Sequence, residues 1–460
     1  MRRLSPAPTR GLILWIIVAA LLPITLALDL RLGVLWLFAG LTAVALRWPL
    51  ETLGVALFSQ FFPVAGLFSG SIESAANIDG MRLLGFGALL GVIAVSFALR
   101  RPDRLSAAWF GFVVFYGLSL IWTSTPTEGL RFFIRLAIPA GLYFVARTLD
   151  LRGVLAQTWR AGAVVLSLLA FLLFVLDPTS PRYVVDESFR YTIPFGGYFP
   201  AAFAMLSAAL AIHFLVRALE TRRMGPFVAF LLFAVQTAAT QTRIVVAALA
   251  IASFAILIAF QRSRPARALW VVGGLVVATA ALALSQDLFS WFALRRGGSI
   301  VASGSALLDL VDLRGRLLLW NTVLESYRSA NPFFGAGAGT SAAAISALSL
   351  PIQLSAPHEE YLRILADTGL VGVALFGVWG FAVVTRSVRA LKADHLDKQP
   401  AAAAYEPLAI ALMLFITALT DNSLEYYLLL PTYLALVLAT AQHEHRAGST
   451  PSSQAVIQVA

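Results

Sequence analysis

The chain has 460 residues, of which 59% are apolar and only 13% are charged, whereas soluble domains carry about 25% charged residues. No water-soluble fold could bury that much apolar surface. The net charge of +10 does not indicate a nucleic-acid partner, because most Lys and Arg residues lie in short loops between apolar runs. Cysteine is absent, which excludes disulfides, thiolate nucleophiles and cysteine metal sites.

The apolar runs predict an all-α polytopic membrane protein with about 12–14 transmembrane helices. The runs lie near residues 11–28, 33–47, 52–69, 82–99, 106–123, 130–146, 158–176, 198–216, 226–240, 243–260, 268–285, 364–385, 403–420 and 424–441. We predict a single transmembrane domain over residues 1–441 and a disordered cytoplasmic tail over 442–460. The long loop 286–362 contains Leu317, Trp320 and Val323 at helical spacing, which predicts short amphipathic helices that cover a cavity.

The loop charges predict the orientation. Lys and Arg concentrate in alternate loops, near residues 2–10, 100–104, 147–152, 217–223, 262–267 and 386–398. The remaining loops hold acidic residues such as Glu128, Asp421 and Glu425. By the positive-inside rule the first set is cytoplasmic, so both termini are expected inside and the long loop outside.

Several arginines are expected at the outer edge of the membrane, where charges are costly and usually functional. They are Arg131, Arg135, Arg190, Arg243, Arg314 and Arg316. Guanidinium groups match phosphate oxygens bidentately, so together they suit an anionic ligand such as a diphosphate.

Other interpretations of these arginines stay open. Arg131 could extend to lipid headgroups. Arg190 has Asp186 at helical spacing, which would allow a local ion pair. Arg314 and Arg316 could pair with nearby Asp309 and Asp312 on a solvated face. Arg243 has no acidic neighbour in the sequence, so a functional role is favoured there.

Of the five histidines, only His358 is expected on the outer side, where it precedes the helix that follows the long loop. A histidine can take a proton from an attacking hydroxyl at neutral pH, so we predict that His358 is catalytic or positions the acceptor. We assign acceptor positioning also to Glu359, Glu360 and Tyr361. The two glutamates could instead serve only to stabilise the helix N-terminus.

Four segments in order resemble the O-antigen ligase and polysaccharide polymerase superfamily of bacterial inner-membrane proteins. They are FRYTIPFGGYFPAAFAMLSAAL; Gln241-Thr242-Arg243-Ile244; Arg316, Trp320, Pro332, Gly335 and Gly337; and His358, Glu359, Glu360, Tyr361, Leu362, Gly369, Leu370 and Gly372. The resemblance covers roughly residues 185–385. The chain departs from the family pattern at Glu359, where the family has asparagine, and at the turn Thr-Arg-Ile, where the family has Ser-Arg-Gly. These departures leave the acceptor class open.

The resemblance implies a metal- and cofactor-independent glycosyltransferase that acts at the periplasmic face. The donor would be a glycan on undecaprenyl diphosphate, and the acceptor either lipid A-core or a growing polysaccharide. Arg190 and Arg243 would hold the diphosphate, with Arg316, Arg135 and Arg131 as further diphosphate contacts. His358 would activate or orient the acceptor hydroxyl, and attack opposite the leaving group would invert the anomeric centre.

Two other classes of protein remain open. A lipid-linked glycan transporter would show polar or broken helices near the middle of the membrane and repeated halves, and the sequence shows no internal repeat. A scaffold without catalysis would leave Arg190, Arg243 and His358 unexplained.

Overall fold

The computed structural model describes residue 53 and residues 101–148, 152–176, 182–185, 188–191, 200–240, 242–260, 313–348, 358–396, 402–426 and 429–440. This part of the chain is almost entirely helical, which confirms the all-α polytopic prediction. It contains six helices that are long and apolar enough to cross a membrane. The predicted runs near 11–28, 33–47, 52–69, 82–99 and 268–285 lie outside the described residues except for Leu53, and so does the tail 442–460.

Apart from two helices that lie in the long loop, the helices follow the predicted apolar runs, since a backbone without access to water must satisfy its own hydrogen bonds. The helices are α1 (Arg104–Leu118), α2 (Pro126–Thr148), α3 (Arg152–Leu176), α4 (Pro200–Thr221), α5 (Met224–Ala239), α6 (Arg243–Phe260), α7 (Leu313–Arg328), α8 (Thr340–Ser346), α9 (Glu360–Leu396), α10 (Glu406–Thr417) and α11 (Leu430–Thr440). Short 3₁₀ turns lie at Ser119–Ile121 and Ala402–Tyr405.

A small antiparallel hairpin adds to the helices. It pairs β1 (Arg182–Val185) with β2 (Ser188–Tyr191) and places Arg190 opposite Tyr183. The sequence did not predict these strands. Because Arg190 lies in a strand, the helical spacing that would pair it with Asp186 does not apply.

Side-chain and backbone contacts define which helix ends meet. The backbone N–H of Glu360 donates to the carbonyl of Ala418 at 2.9 Å, so the start of α9 meets the end of α10. We call this the His358 end of the bundle. At the other end of α10, Tyr405 Oη donates to the carbonyl of Ala259 at 3.3 Å. The last turn of α6 therefore lies at the opposite end. The first residue of α6, Arg243, lies at the other end of that helix, towards the His358 end.

Helix α9 is broken at Gly369, whose φ of 64° and ψ of −164° are not helical. The segment after α7 fills the break. The N–H groups of Leu370 and Val371 donate to the carbonyls of Pro332 and Phe333, at 3.0 and 3.1 Å. In return, the carbonyls of Ala366 and Asp367 accept from the N–H groups of Ala336 and Gly337, at 2.9 and 3.0 Å. The break thus loses helical hydrogen bonds but leaves these groups paired, as a low-dielectric environment requires.

Glycine is needed on both sides of this joint. Gly335 has a φ of 70°, and a Cβ atom there would lie 2.6 Å from the backbone nitrogen of Gly369. A Cβ on Gly369 would lie 2.4 Å from the carbonyl oxygen of Phe333. Gly335 and Gly369, two of the family-like glycines, therefore form one close backbone contact, which explains their residue type without any catalytic role.

The predicted amphipathic helices of the long loop are present as α7 and α8. Leu319 and Val323 of α7 pack with Ile345 of α8 and with Ala366 of α9. Asp367, fully buried one residue later, accepts hydrogen bonds from Tyr116 Oη at 2.7 Å and from the N–H group of Ser341 at 2.9 Å. The first nine residues of α9 are thus held between the loop helices and the bundle.

A second buried ionic cluster lies towards the opposite end of the bundle, among α3, α4, α10 and α11. The Glu406 carboxylate faces His213 Nδ1 at 3.0 Å and accepts a hydrogen bond from Tyr433 Oη. Arg160 Nε donates to Tyr433 Oη at 2.9 Å. The sequence did not predict this cluster.

Candidate active site

His358 occupies a constrained backbone position just before α9. Its φ is 53°, in the left-handed region that a residue with a Cβ atom adopts at a cost of about 1 kcal/mol. Its N–H group donates to Asn422 Oδ1 at 2.9 Å, across the interface with the segment between α10 and α11. The tertiary contact therefore holds a conformation that the local sequence does not favour, a feature common at functional sites.

The same asparagine orients the imidazole ring. Because Asn422 Oδ1 accepts the His358 N–H, its amide nitrogen is directed at His358 Nδ1, 3.3 Å away. Asp421 Oδ1 lies 3.7 Å from the same ring nitrogen. The His358 side chain remains 30% exposed, whereas Asp421 and Asn422 are both buried. One edge of the ring is thus held by the protein, with the Asp421 carboxyl group close to it.

Arg363 lies one helical turn into α9 and is only 4% exposed. Its guanidinium lies 3.2 Å from Glu425, 3.6 Å from Glu360 and 3.5 Å from Asn422 Oδ1. It also stacks over the ring of Phe132, at 4.5 Å from the centroid. A buried charge of this kind is tolerated only with partners, and here it ties three segments together.

Glu360 shapes the segment that carries Asn422. It is fully buried, and its Oε1 accepts the N–H groups of Leu424 at 3.0 Å and Glu425 at 3.3 Å. The carboxylate is therefore committed to the turn between α10 and α11 and to Arg363. Glu360 therefore stabilises the turn that carries Asn422 and is not accessible to solvent.

Glu425 joins Arg363 to Arg135 of α2. Burial by itself would raise the pKa of the Glu425 carboxyl, but Arg363 and Arg135 outweigh it and hold this pKa below its ordinary value. Glu425 is thus a carboxylate with one arginine at each oxygen. A continuous chain of contacts runs from His358 through Asn422, Arg363 and Glu425 to Arg135.

Glu359 caps the first turn of α9. Its carboxylate accepts the N–H group of Tyr361 at 3.1 Å and also that of Leu362. Burial raises the pKa of Glu359 to about 7, although these two N–H groups and Arg363 act to lower it. Near neutral pH this carboxyl beside His358 is therefore divided between its two protonation states.

The raised pKa of Glu359 predicts a pH dependence of stability. The folded chain binds the proton up to about pH 7, while the unfolded chain releases it near the ordinary value of 4.5. The free energy of unfolding should therefore fall as pH rises from 4.5 to 7, by on the order of 1 kcal/mol after allowance for solvent screening. Thermal unfolding of the purified protein across this interval measures the effect. Glu359→Gln should flatten the curve, and an unchanged slope in that variant would contradict the assignment.

The remaining predicted residues near α2 and α9 have partners of their own. Arg131 is exposed and pairs with Glu128 at 2.7 Å, one turn earlier on α2. Tyr361 donates its hydroxyl to the carbonyl of Phe415 at 3.0 Å, inside the bundle. Arg135, in contrast, belongs to the same buried network as His358.

Two further predicted arginines lie on elements of the His358 end, and a third lies in the hairpin. Arg243 is the exposed first residue of α6. Arg316 is half-buried on α7, one turn before Leu319, which packs against α9. Arg190 lies in β2 of the hairpin, between the end of α3 and the start of α4. The fold thus brings Arg243 and Arg316 to the same end of the bundle, and their contact with each other stays a prediction.

The sequence interpretation missed Asn422 and Arg363 and used Asp421 and Glu425 only as markers of orientation. A signal for them existed. Asp421-Asn422 lies between two apolar runs, and Arg363 follows Glu360 at helical spacing at the start of another run. Ionisable and amide groups at such places are candidates for a site by default. Among the described residues, no three His, Asp or Glu side chains lie together in a group that could hold a metal ion.

Residues 227–377 match the family model described as O-antigen ligase. The resemblance to the O-antigen ligase and polymerase superfamily is confirmed. The matched segment contains Arg243, Arg316, His358 and the glycines of the α9 joint, while Asn422 and Glu425 lie beyond it. The match supports a ligase- or polymerase-type glycosyltransferase in a multi-pass membrane protein. A comparison with curated proteins gives no match.

Proposed function

We propose that the chain transfers a glycan from undecaprenyl diphosphate to an acceptor hydroxyl at the periplasmic face of the inner membrane. The observation that carries this proposal is the placement of a partly exposed histidine, fixed through Asn422, in one network with the membrane-edge Arg135. Arg243 and Arg316 lie on elements of the same end of the bundle.

The chemistry assigns a different task to each group. A sugar hydroxyl is a poor nucleophile, and His358 takes its proton as the bond to the anomeric carbon forms. The proton goes to Nδ1, which carries the lone pair of the neutral ring when the Asn422 amide faces it. Asp421, 3.7 Å from Nδ1, stabilises the imidazolium that results. The leaving diphosphate gains negative charge as the glycosidic bond breaks, and the arginines Arg190, Arg243, Arg316 and Arg135 stabilise that charge. Attack opposite the diphosphate gives inversion at the anomeric centre.

In this proposal, Glu359 is the residue that contacts the acceptor. It stands next to His358 and is partly accessible, whereas Glu360 is buried under the turn and Tyr361 is bonded inside the bundle. The family asparagine at this position is neutral, so a carboxyl that titrates near pH 7 gives this chain a different acceptor contact. Lipid A-core is the acceptor we favour, and polymerisation of repeat units is the alternative.

A transporter of lipid-linked glycans has two observations in its favour, and the first is the break of α9 at Gly369. The second is the cluster of Arg160, His213 and Glu406 inside the bundle, since buried ionisable groups within membrane helices often mark transport pathways. An assay in detergent solution distinguishes the two functions, because detergent solution has no compartments to transport between. A glycosyltransferase makes product there, and a transporter does not.

The decisive assay supplies the purified chain in detergent with an undecaprenyl-diphosphate glycan and either lipid A-core or repeat-unit acceptors. Arg243→Ala is expected to lower kcat/KM by about 10²-fold, because a donor to the developing phosphate charge is lost. Arg217→Ala is the matched control, since Arg217 is a helical arginine near the opposite end that pairs with Glu220. No product with any acceptor would overturn the proposal. Product with repeat units alone would decide for a polymerase.

A further inference from the structure

An exposed apolar patch lies at the His358 end, on the outside of the bundle. It consists of five exposed side chains from two segments. Leu118, Ile121 and Trp122 lie at the end of α1 and just after it, and Phe333 and Phe334 lie in the turn after α7. Ile121 is 79% exposed and Phe333 58%, and the rings of Trp122 and Phe334 meet at 6.2 Å between centroids. Single exposed apolar residues need no explanation, but a contiguous aromatic group of this kind marks an interaction surface.

The patch is built on fixed backbone. Asn331 Oδ1 accepts the N–H groups of Phe333 and Phe334, at 2.9 and 3.3 Å. The Phe333 carbonyl is bonded to Val371 in the α9 joint. Thr123 Oγ1 donates to the Ala338 carbonyl at 2.7 Å, which ties the turn after α1 to the turn after α7. These hydrogen bonds hold the backbone of the turn, so the exposure of the two phenylalanines follows from its conformation.

The composition and position of the patch indicate what covers it. Residues 118–126 and 331–341 contain no Lys, Arg, Asp or Glu. The patch continues the lipid-facing side of α1, where Val114 is 55% exposed, and it begins where the membrane-spanning segment Arg104–Ile121 ends. Aromatic side chains with adjoining aliphatic ones are typical of the boundary between headgroups and acyl chains.

We propose that these five side chains insert into the bilayer leaflet at the His358 end, at the depth where headgroups meet acyl chains. The occupant of the patch is lipid, in continuity with the lipid surface of α1. Because the turn is bonded to α9 at Gly369–Val371, this insertion sets the height of the α9 joint relative to the membrane. The first turns of α9, with His358 before them, then stand at a fixed height above the acyl chains. This inference does not depend on the proposed function.

The chain has no native cysteine, so single cysteines report position cleanly. A nitroxide label at Phe334→Cys or Ile121→Cys, in proteoliposomes of phosphatidylethanolamine and phosphatidylglycerol, should be more accessible to oxygen than to a water-soluble nickel chelate. The ratio should lie below that at Val114→Cys, which is about 10 Å further into the span Arg104–Ile121. It should exceed several-fold that at Ser329→Cys, an exposed polar position two residues before Asn331.

Two results would overturn the proposal. The first is a nickel accessibility at Phe334→Cys equal to that at Ser329→Cys, which would place the turn in water. The second is strong dipolar coupling between labels at Phe334→Cys with low oxygen accessibility, which would show that a second copy of the chain covers the patch. Size-exclusion profiles identical to those of the unlabelled protein confirm that each variant is folded.

Discussion

Replacing His358 by alanine is expected to lower the rate of glycan transfer by about 10²- to 10⁴-fold, the usual contribution of a general base. The loss should appear mainly in kcat, because the base acts as the hydroxyl attacks and contributes little to donor binding. The measurement is product formation by the purified chain at saturating donor. The unfolding temperature should stay close to that of the wild type, since the ring is partly exposed and makes only one hydrogen bond within the described residues.

The segment between α10 and α11 provides the controls for this prediction. Asn422→Asp keeps an oxygen that can accept the His358 N–H but loses the amide hydrogens that face Nδ1, so it should retain the backbone position and lose only part of the rate. Asp421→Asn removes the charge that faces the imidazolium and should also lose part of the rate. If folded His358→Ala protein transfers glycan at the wild-type rate, His358 does not act as the general base.

The second large effect concerns stability. Arg363→Met is expected to lower the free energy of unfolding by about 3–5 kcal/mol, because it leaves the buried Glu360 carboxylate without its cation. Glu425 keeps Arg135, so the loss arises chiefly at Glu360. Titration with a denaturing detergent, followed by intrinsic tryptophan fluorescence, measures the change. Transfer activity should fall as well, since Asn422 and hence His358 are held through the same network.

A double variant tests the cause. Arg363→Met combined with Glu360→Gln removes both charges, so its destabilisation should be smaller than the sum of the two single changes. Arg217→Met serves as the surface control, because the Arg217 side chain is 56% exposed and its pair with Glu220 should contribute no more than about 0.5 kcal/mol. Additive losses in the double variant would show that Arg363 acts through packing on Phe132 rather than through its charge.

Some features of the site can be predicted from the sequence, because they depend on residue type and local spacing. His358 stands alone among the histidines on the predicted outer side, and no acidic residue lies near Arg243 in the sequence. The four family-like segments lie in a fixed order, and the matched residues 227–377 cover most of them. The roles of these residues stay predictions until the assays are made.

Other features needed the three-dimensional contacts. The glycines after α7 and the glycine at 369 appeared in the sequence as two separate motifs, yet they touch each other in one backbone joint. Glu360 looked like a partner of the acceptor because it adjoins His358 in sequence. In the structure the two residues diverge, since His358 has a left-handed backbone and Glu360 begins the helix.

By itself, the sequence determined that this chain is a helical membrane protein with short amphipathic helices in its long loop. Apolar length and periodicity are local properties, and a backbone without water has little choice but to form helices. Only the tertiary structure decided which polar groups meet. Asn422, Arg363, Glu425 and Arg135 come from α2, α9 and the turn after α10, up to 290 residues apart. Their pairing depends on helix packing and on the cost of leaving a buried charge unpaired, which no local pattern encodes.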